Sequence, residues 1–272
     1  MELYEIIRSL PSIDGSSVRI AASEPMPRAA IDPERLHVVV EAGAAASLVV
    51  LHTQASTASI ELEAGEGASL EVIEFFAADA FAEVRVRQAA ASRVRLTTVE
   101  AAGGNLRCTT ELAGRDALCE TNALLLAGSD EHTELTLRTN HLVPDCKSRT
   151  QVRGVAGGTA TAVFRGLVYV APDAQWTDAR QQSRNVLVSD TARIDAQPQL
   201  EIYADDVQCT HGATVGLLDR DAILYMRQRG LDESQARRLQ LAGFVAELLQ
   251  ECAPEPLCAA LREAVESRLS QL

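Results

Sequence analysis

One short phrase occurs twice, and it limits the folds open to this chain. Val40-Glu41-Ala42-Gly43-Ala44-Ala45-Ala46-Ser47-Leu48 is matched by Leu62-Glu63-Ala64-Gly65-Glu66-Gly67-Ala68-Ser69-Leu70. Each copy is a turn of small residues between two strand-like runs. Ser59-Ile60-Glu61-Leu62-Glu63 and Ser69-Leu70-Glu71-Val72-Ile73-Glu74 alternate apolar and polar residues, the period of a half-buried strand. Gly43 and Gly65 lie 22 residues apart, and Gly114 and Gly157 lie 43 apart, close to two such periods. A helix-free repeat of this length predicts a solenoid, the parallel β-helix. No coil can bury its inward face alone, but stacked coils bury a continuous column. A β-sandwich, which also needs short strands with frequent turns, is the alternative, since the period is imperfect between Val72 and Gly114. Composition agrees with the solenoid. Hydrophobic residues make up 47% of the 272 residues and aromatics only 4%, so Ala, Val and Leu must fill regular layers.

The alternation continues through Glu83-Val84-Arg85-Val86-Arg87, Arg93-Val94-Arg95-Leu96, Leu135-Thr136-Leu137-Arg138 and Ala162-Val163-Phe164-Arg165. Three regions are expected. Residues 1–35, with Pro11, Pro25, Pro27 and Pro33, read as a loop-rich segment that wraps the next domain. Residues 36–216 form the β-helix. Residues 217–272 switch to helical periodicity and form a small C-terminal helical domain. There Asp219 and Asp232 are placed as N-caps and Gly230 as a C-terminal stop. Ala236, Leu239, Gly243 and Leu248 form the expected stripe of the second helix. Leu257, Leu261, Ala264, Val265, Leu269 and Leu272 form that of the third.

The net charge is −13 with no basic stripe, which excludes a nucleic-acid binder and disfavours anionic membranes. No apolar run approaches the roughly 20 residues of a membrane span. Met1-Glu2-Leu3-Tyr4-Glu5 is acidic where a secretion signal is basic, so a cytoplasmic setting with reduced thiols is expected. Six cysteines occur, Cys108, Cys119, Cys146, Cys209, Cys252 and Cys258, none in a CxxC pair. Structural zinc is therefore not expected. There is no GxxxxGK[ST] loop, so the chain itself should not bind ATP.

Reactive side chains concentrate in residues 200–216, where strand pattern gives way to helix pattern. Asp205 and Asp206 are adjacent, so on a strand they face opposite ways and make a poor acid–base pair. Turn or interface duties suit them better. Cys209 and His211 are two apart and would share a face. A thiolate and a neutral imidazole are both iron ligands. The bland readings are a buried small hydrophobe for Cys209 and a backbone-satisfied ring for His211. Cys108, Cys119 and Cys146 are expected inside the core. His37, His52, His132 and His141 are expected to be solvated or structural. Trp176, Cys252 and Cys258 receive no role.

Residues 141–244 resemble the SufB/SufD family of iron–sulfur cluster assembly proteins. The resemblance rests on His141, Ser148-Arg149-Thr150, Arg153-Gly154-Val155, Ala162-Val163-Phe164-Arg165-Gly166, Ala174-Gln175-Trp176-Thr177-Asp178-Ala179 and Gln181-Gln182-Ser183-Arg184-Asn185. It continues through Pro198-Gln199-Leu200-Glu201-Ile202, Ala204-Asp205-Asp206-Val207, Cys209-Thr210-His211-Gly212-Ala213-Thr214-Val215-Gly216 and Arg229-Gly230. The histidine in the last strand-like run looks like SufD, where SufB members carry a cysteine-bearing version.

The resemblance implies a right-handed parallel β-helix followed by a helical domain. It implies a non-catalytic scaffold working with a SufB-like subunit and a SufC-like ABC-type ATPase. His211 and Cys209 would lie at the interface where a nascent iron–sulfur cluster forms, with His211 as a transient metal ligand and no cofactor stably held. The ATPase would dock on the C-terminal helices, at Asp219, Tyr225, Arg229, Gly230 and Phe244. SufD proteins of this type usually carry a longer N-terminal region with helices, whereas about 35 residues precede the first clear strand here. Two readings of other classes stay open: a β-helix enzyme acting on acidic polysaccharide, and a self-associating homodimer.

Overall fold

The computed structural model describes residues 3–13, 15–24, 26–249 and 255–272. After a short helix α1 (Leu3–Ser9), strands alternate between two sheets, so each coil of the chain contributes one strand to each. One sheet holds β1 (Ser17–Ile20), β3 (Arg35–Val40), β5 (Thr57–Ala64), β7 (Phe81–Gln88), β9 (Gly104–Leu112), β11 (His132–His141), β13 (Thr161–Val170) and β15 (Arg193–Ile202). The other holds β2 (Arg28–Ile31), β4 (Ala45–His52), β6 (Ser69–Phe76), β8 (Arg93–Glu100), β10 (Leu118–Ala127), β12 (Lys147–Ala156), β14 (Asp178–Leu187) and β16 (Gln208–Leu217). Every neighbouring pair is parallel, which gives a flattened parallel β-helix.

The strands lengthen along the axis. β1 and β2 have four residues, β4 to β8 eight, and β10 to β16 ten. The coil lengthens with them. Arg28 pairs with Leu48 (20 residues on), Ala45 with Ser69 (24), Leu118 with Lys147 (29) and Lys147 with Asp178 (31). The expected period of 22 therefore needs correcting. The residue equivalent to Gly43 is Gly67, not Gly65. Gly43 and Gly67 begin a ladder of left-handed residues at one corner, continued by Ala91, Asp116, Asp145 and Trp176, with φ between 54° and 71°. Backbone N–H groups of this ladder donate to the next coil: Gly43 to the Glu66 carbonyl (2.8 Å), Gly67 to Ala90 (2.8 Å), Ala91 to Arg115 (2.8 Å) and Trp176 to Asp206 (2.6 Å). Gly65 has a different reason to be glycine: a Cβ there would lie 2.7 Å from the Ala42 nitrogen in the coil before. Gly114 and Gly157 follow strands of different sheets and are not equivalent at all.

Residues 11–33 are not simply loop. Pro11, Pro27 and Pro33 sit outside the strands, leaving Ser17-Val18-Arg19-Ile20 and Arg28-Ala29-Ala30-Ile31 free to pair as the first coil, and Pro25 lies outside the described residues. Ser12 bridges to Ala29 across its end.

Inward positions carry the main core, from Ile20 and Val38 through Leu62, Leu96 and Leu106 to Phe164. The sheet of odd-numbered strands shows water its other face. There β5 and β7 alternate throughout, and Arg85–Glu83 and Arg87–Glu111 pair at 2.8 and 3.0 Å. The even-numbered strands β4, β6, β8, β10 and β12 alternate only in their first half and are buried on both faces in their second. A helical layer explains this. α1, α3 (Glu233–Ala246), the 3-10 turn Glu247–Leu249 and α4 (Leu257–Leu269) cover Val49, Leu51, Ile73, Phe75, Val99, Leu124, Leu126 and Val155.

The expected stripe of α4 is the one it packs. That of α3 holds at Ala236 and Leu248, which are buried, but Leu239 and Gly243 face solvent, and Leu241 and Val245 are buried instead. Beneath this layer lies Arg153, on the outward face of β12 with its side chain 2% exposed. It donates to the Glu247 carboxylate at 2.8 Å, and its guanidinium stands 5.6 Å from the Phe244 ring. No described helix is long and apolar enough to cross a membrane.

Candidate functional site: the open end of the β-helix

β15 and β16 are the last strands of their sheets, each hydrogen-bonded on one side only. In register, Ala179 pairs with Cys209, Gln181 with His211, Ser183 with Ala213 and Asn185 with Val215. Ala179, Gln181, Ser183 and Asn185 are the buried, inward residues of β14. Cys209 and His211 therefore occupy inward positions of the terminal coil, where no further coil covers them. Their shared face is the one expected from the spacing. Cys209 is half-buried against Val168, Val170, Ala174 and Ala204, and His211 is exposed. Burial pushes the Cys209 thiol above its ordinary value, so at neutral pH it is a thiol and must lose a proton to bind metal. Among the described residues, no group of three or more His, Cys, Asp or Glu converges on one point that could hold a metal ion. The pair is at most half of a ligand set.

The terminal coil also exposes apolar area that an interior coil would hide: Ile202, Val215 and Leu217 are solvent-facing. Asp205 and Asp206 are exposed at the corner, where the Asp206 N–H donates to Gln175 Oε1 (2.8 Å) and its carbonyl accepts from Trp176. Trp176 is exposed with φ of 58°, at the end of the left-handed ladder.

The five positions implied for ATPase docking divide by duty. Asp219 caps α2 (Arg220–Gln228), its carboxylate accepting from the Asp221 and Ala222 N–H groups at 2.9 and 3.1 Å. Gly230, with φ of 98°, ends that helix. Phe244 is turned toward Arg153. Tyr225 and Arg229 remain exposed, with the guanidinium 5.2 Å from the ring. α2 buries none of its residues, and Leu224 and Tyr225 both face solvent.

The other cysteines and histidines lie elsewhere. Cys108 and Cys119 are buried in the interior beside Thr110 and Thr121, and burial raises both thiols, Cys119 to about 11. Cys146 donates to the Gly114 carbonyl (3.2 Å) and Cys258 to that of Leu249 (3.1 Å). Cys252 lies outside the described residues. His37 pairs with Glu63 (2.9 Å) and His132 approaches Glu134 (4.0 Å) on the outer face. His52 is buried against Glu74 at 2.9 Å, and His141 against Ser148 at 2.8 Å. Burial drops the His141 ring to about 4.

Two buried amides escape a reading by pattern: Gln181 and Asn185, on the inward face of β14. Their signal in the sequence is a pair of mid-strand glycines, which often mark close approach of another group. A Cβ at Gly166 would sit 2.4 Å from Gln181 Nε2, and one at Gly154 would sit 2.4 Å from Asn185 Oδ1.

Comparison with known proteins agrees with this geometry. Residues 21–244 match the family described as SUF system FeS cluster assembly, SufBD core domain. The chain is 35% identical to the iron-sulfur cluster assembly protein SufD of Escherichia coli over 162 residues, 60% of this chain and 37% of that protein. It is 35% identical to an iron-sulfur cluster assembly SufBD family protein of Synechocystis over 193 residues, 69% of this chain and 42% of that one. It is 32% identical to protein ABCI7, chloroplastic, of Arabidopsis thaliana over 169 residues, 61% and 36% of the two chains. The chain spans about two fifths of the length of the curated relatives it matches. A parallel β-helix of two eight-stranded sheets, a Cys-x-His pair in its last coil and a match covering residues 21–244 together place this chain: it belongs to the SufBD family of iron–sulfur cluster assembly proteins, on the SufD side.

Proposed function

We propose that the chain is a non-catalytic, SufD-like subunit of an ATP-driven iron–sulfur cluster assembly complex. A SufB-like scaffold would meet it at the open end of the β-helix, and a SufC-like ABC ATPase would dock on its helices. One observation carries this reading. His211 is exposed on the inward face of the terminal strand β16, whose outer edge is unpaired, two residues from the half-buried Cys209, with no third ligand among the described residues. Such a pair becomes a site only when a second surface closes over it. The cluster is cargo at that seam, not a resident cofactor.

The uncovered face of α2, with Leu224, Tyr225 and Arg229 exposed, supports docking of a further subunit there. A reducing cytoplasmic setting suits the thiols of Cys108, Cys119, Cys146 and Cys209, none of them in a disulfide.

The test is His211→Ala in a cell that depends on this pathway, with copurification of the subunits measured alongside. Loss of cluster maturation with the complex intact is expected. Normal maturation in that variant would refute the site, and recovery of the chain without either partner would refute the complex.

A second reading has its own observation. The solvent-facing Ile202, Val215 and Leu217 beside unpaired strand edges suit pairing with another copy of this chain when partners are absent. Light scattering of the isolated chain reads this directly.

A further inference from the structure

One inward column changes character along the axis: in β4, β6 and β8 it is Leu48, Val72 and Leu96, although the same strands also carry the buried polar His52, Glu74 and Glu100 inward. In the last two closed coils the inward positions of β12 and β14 include Ser148, Thr150, Gln181, Ser183 and Asn185, all buried. One inward column runs Thr121, Thr150, Gln181, His211, each residue one strand from the next. The candidate ligand His211 thus stands directly above a file of hydroxyl and amide side chains.

Gln181 is the member in register with His211. It is 3% exposed and its Nε2 has no hydrogen-bond partner among the described residues. The amide reaches across the interior to the opposite sheet, where Gly166 provides the room. Gly166 pairs with Pro198 of the terminal coil, just as Gln181 pairs with His211. The Nε2 donor therefore lies in the interior beside Gly166, one layer of about 4.8 Å below the terminal coil that holds Pro198 and His211. Asn185 shows that this layer is tied to the next: its Nδ2 donates to the Thr214 carbonyl of β16 at 3.0 Å. A buried amide donor without a protein partner calls for another acceptor. One layer spacing fits a single water between amide and ring.

We propose that Gln181 is a positioning residue for the terminal-coil site. Its amide, through one ordered water between the last two coils, holds the His211 imidazole over the inner column, so that one ring nitrogen is presented at the open end. This rests on the reading of His211 as a ligand, but the geometry is tested without it.

The variant is Gln181→Met, which keeps the volume and removes the donor. Gly166→Ala is the second variant, since a Cβ there displaces the amide without touching His211. Crystal structures of the full chain and both variants, at a resolution that shows ordered water, give the first readout. The expected result is a water bonded to Gln181 Nε2 and a His211 nitrogen, with a single ring conformer. In the variants the water is lost and the ring adopts several conformers. A dry layer, or an unchanged ring in Gln181→Met, overturns the proposal.

The second readout is cluster maturation in a cell dependent on the pathway, with thermal unfolding as the control. Gln181→Met is expected to slow maturation about tenfold while melting like the parent, the scale at which residues supporting metal ligands act. Unchanged maturation in Gln181→Met beside a dead His211→Ala overturns the positioning role alone. Unchanged maturation in His211→Ala overturns the underlying site and leaves the crystallographic result to judge the geometry.

Discussion

Glu100 lies on the inward face of β8, fully buried, and the chain should be more stable without its acid. Burial holds its carboxyl well above the ordinary range, and the nearby Glu74 carboxylate adds to the effect. The carboxyl accepts from Thr133 Oγ1, a hydrogen bond that favours the ionised form, and burial outweighs it.

The folded state thus keeps a proton that the unfolded chain releases near pH 4.5. The folded state binds more protons, so stability falls as pH rises above that value, by about 1.4 kcal/mol per unit. The loss continues until the folded group itself ionises. Glu100→Gln keeps an acceptor toward Thr133 and removes the titration. From pH 5 upward the difference in unfolding free energy between variant and parent should move in favour of the variant, by about 1.4 kcal/mol per pH unit for as long as the folded acid stays neutral. For a chain of this size each such unit corresponds to roughly 3–6 °C in melting temperature. The assay is urea unfolding of both proteins at matched pH values. Taking the difference cancels His141, which titrates in the same region with the opposite sign. A difference that does not change with pH would refute the neutral-acid assignment.

Other perturbations follow from the same structure. Glu247→Ala leaves the Arg153 guanidinium buried without its carboxylate and should cost about 3 kcal/mol, whereas Arg153→Met, which removes the buried charge itself, should cost less; thermal unfolding of the two variants decides, and the reverse order would sink the argument. His141 is held neutral by burial, with its folded value at about 4, so its contribution is intact above pH 6.5 and is lost as pH falls toward 4; His141→Gln should remove up to about 3 kcal/mol of that acid-side slope in an unfolding titration. Gly157→Ala places a Cβ 2.7 Å from Val188 Cγ2 and 2.8 Å from the Leu272 carbonyl, and should destabilise by about 1–3 kcal/mol in a denaturant titration.

Much of the architecture was legible because strand periodicity and helix capping are local. The alternation of β5 and β7, the caps at Asp219 and Asp232 and the stop at Gly230 are each written within a few residues. The phase of the repeat was not, and the reason is chemical. The corner requires a left-handed backbone, and the chain meets that requirement with Gly, Gly, Ala, Asp, Asp and Trp in turn, so no single residue type marks the period. Gly65 misled because it answers a close approach rather than a turn.

Polarity misled in the same way. Arg153 faces outward, as the alternation says, yet lies under a helical layer contributed by residues some 90 positions later. Gln181 and Asn185 are polar at inward positions, so a rule that sends polar residues to water places them wrongly. For the site, the Cys209–His211 spacing gave the shared face. Only the stacking order revealed that the face belongs to the last coil and stays uncovered.

The lengthening of the strands has a consequence for assembly. At about 3.3 Å per residue, the cross-section grows from roughly 13 Å at β1 and β2 to roughly 33 Å at β15 and β16. A solenoid of constant width could add its broad end to another molecule's narrow end and continue as a fibre, because a head-to-tail contact that does not close propagates. Here the two ends do not match. A ten-residue edge laid on a four-residue strand would leave most of its backbone donors and acceptors without partners, and the Ser12–Ala29 bridge already occupies part of the narrow end. Broad end against broad end satisfies both edges. The taper would thus act as a polarity lock: with the edges of β15 and β16 bare at the broad end, it would favour closed pairs over an open fibre.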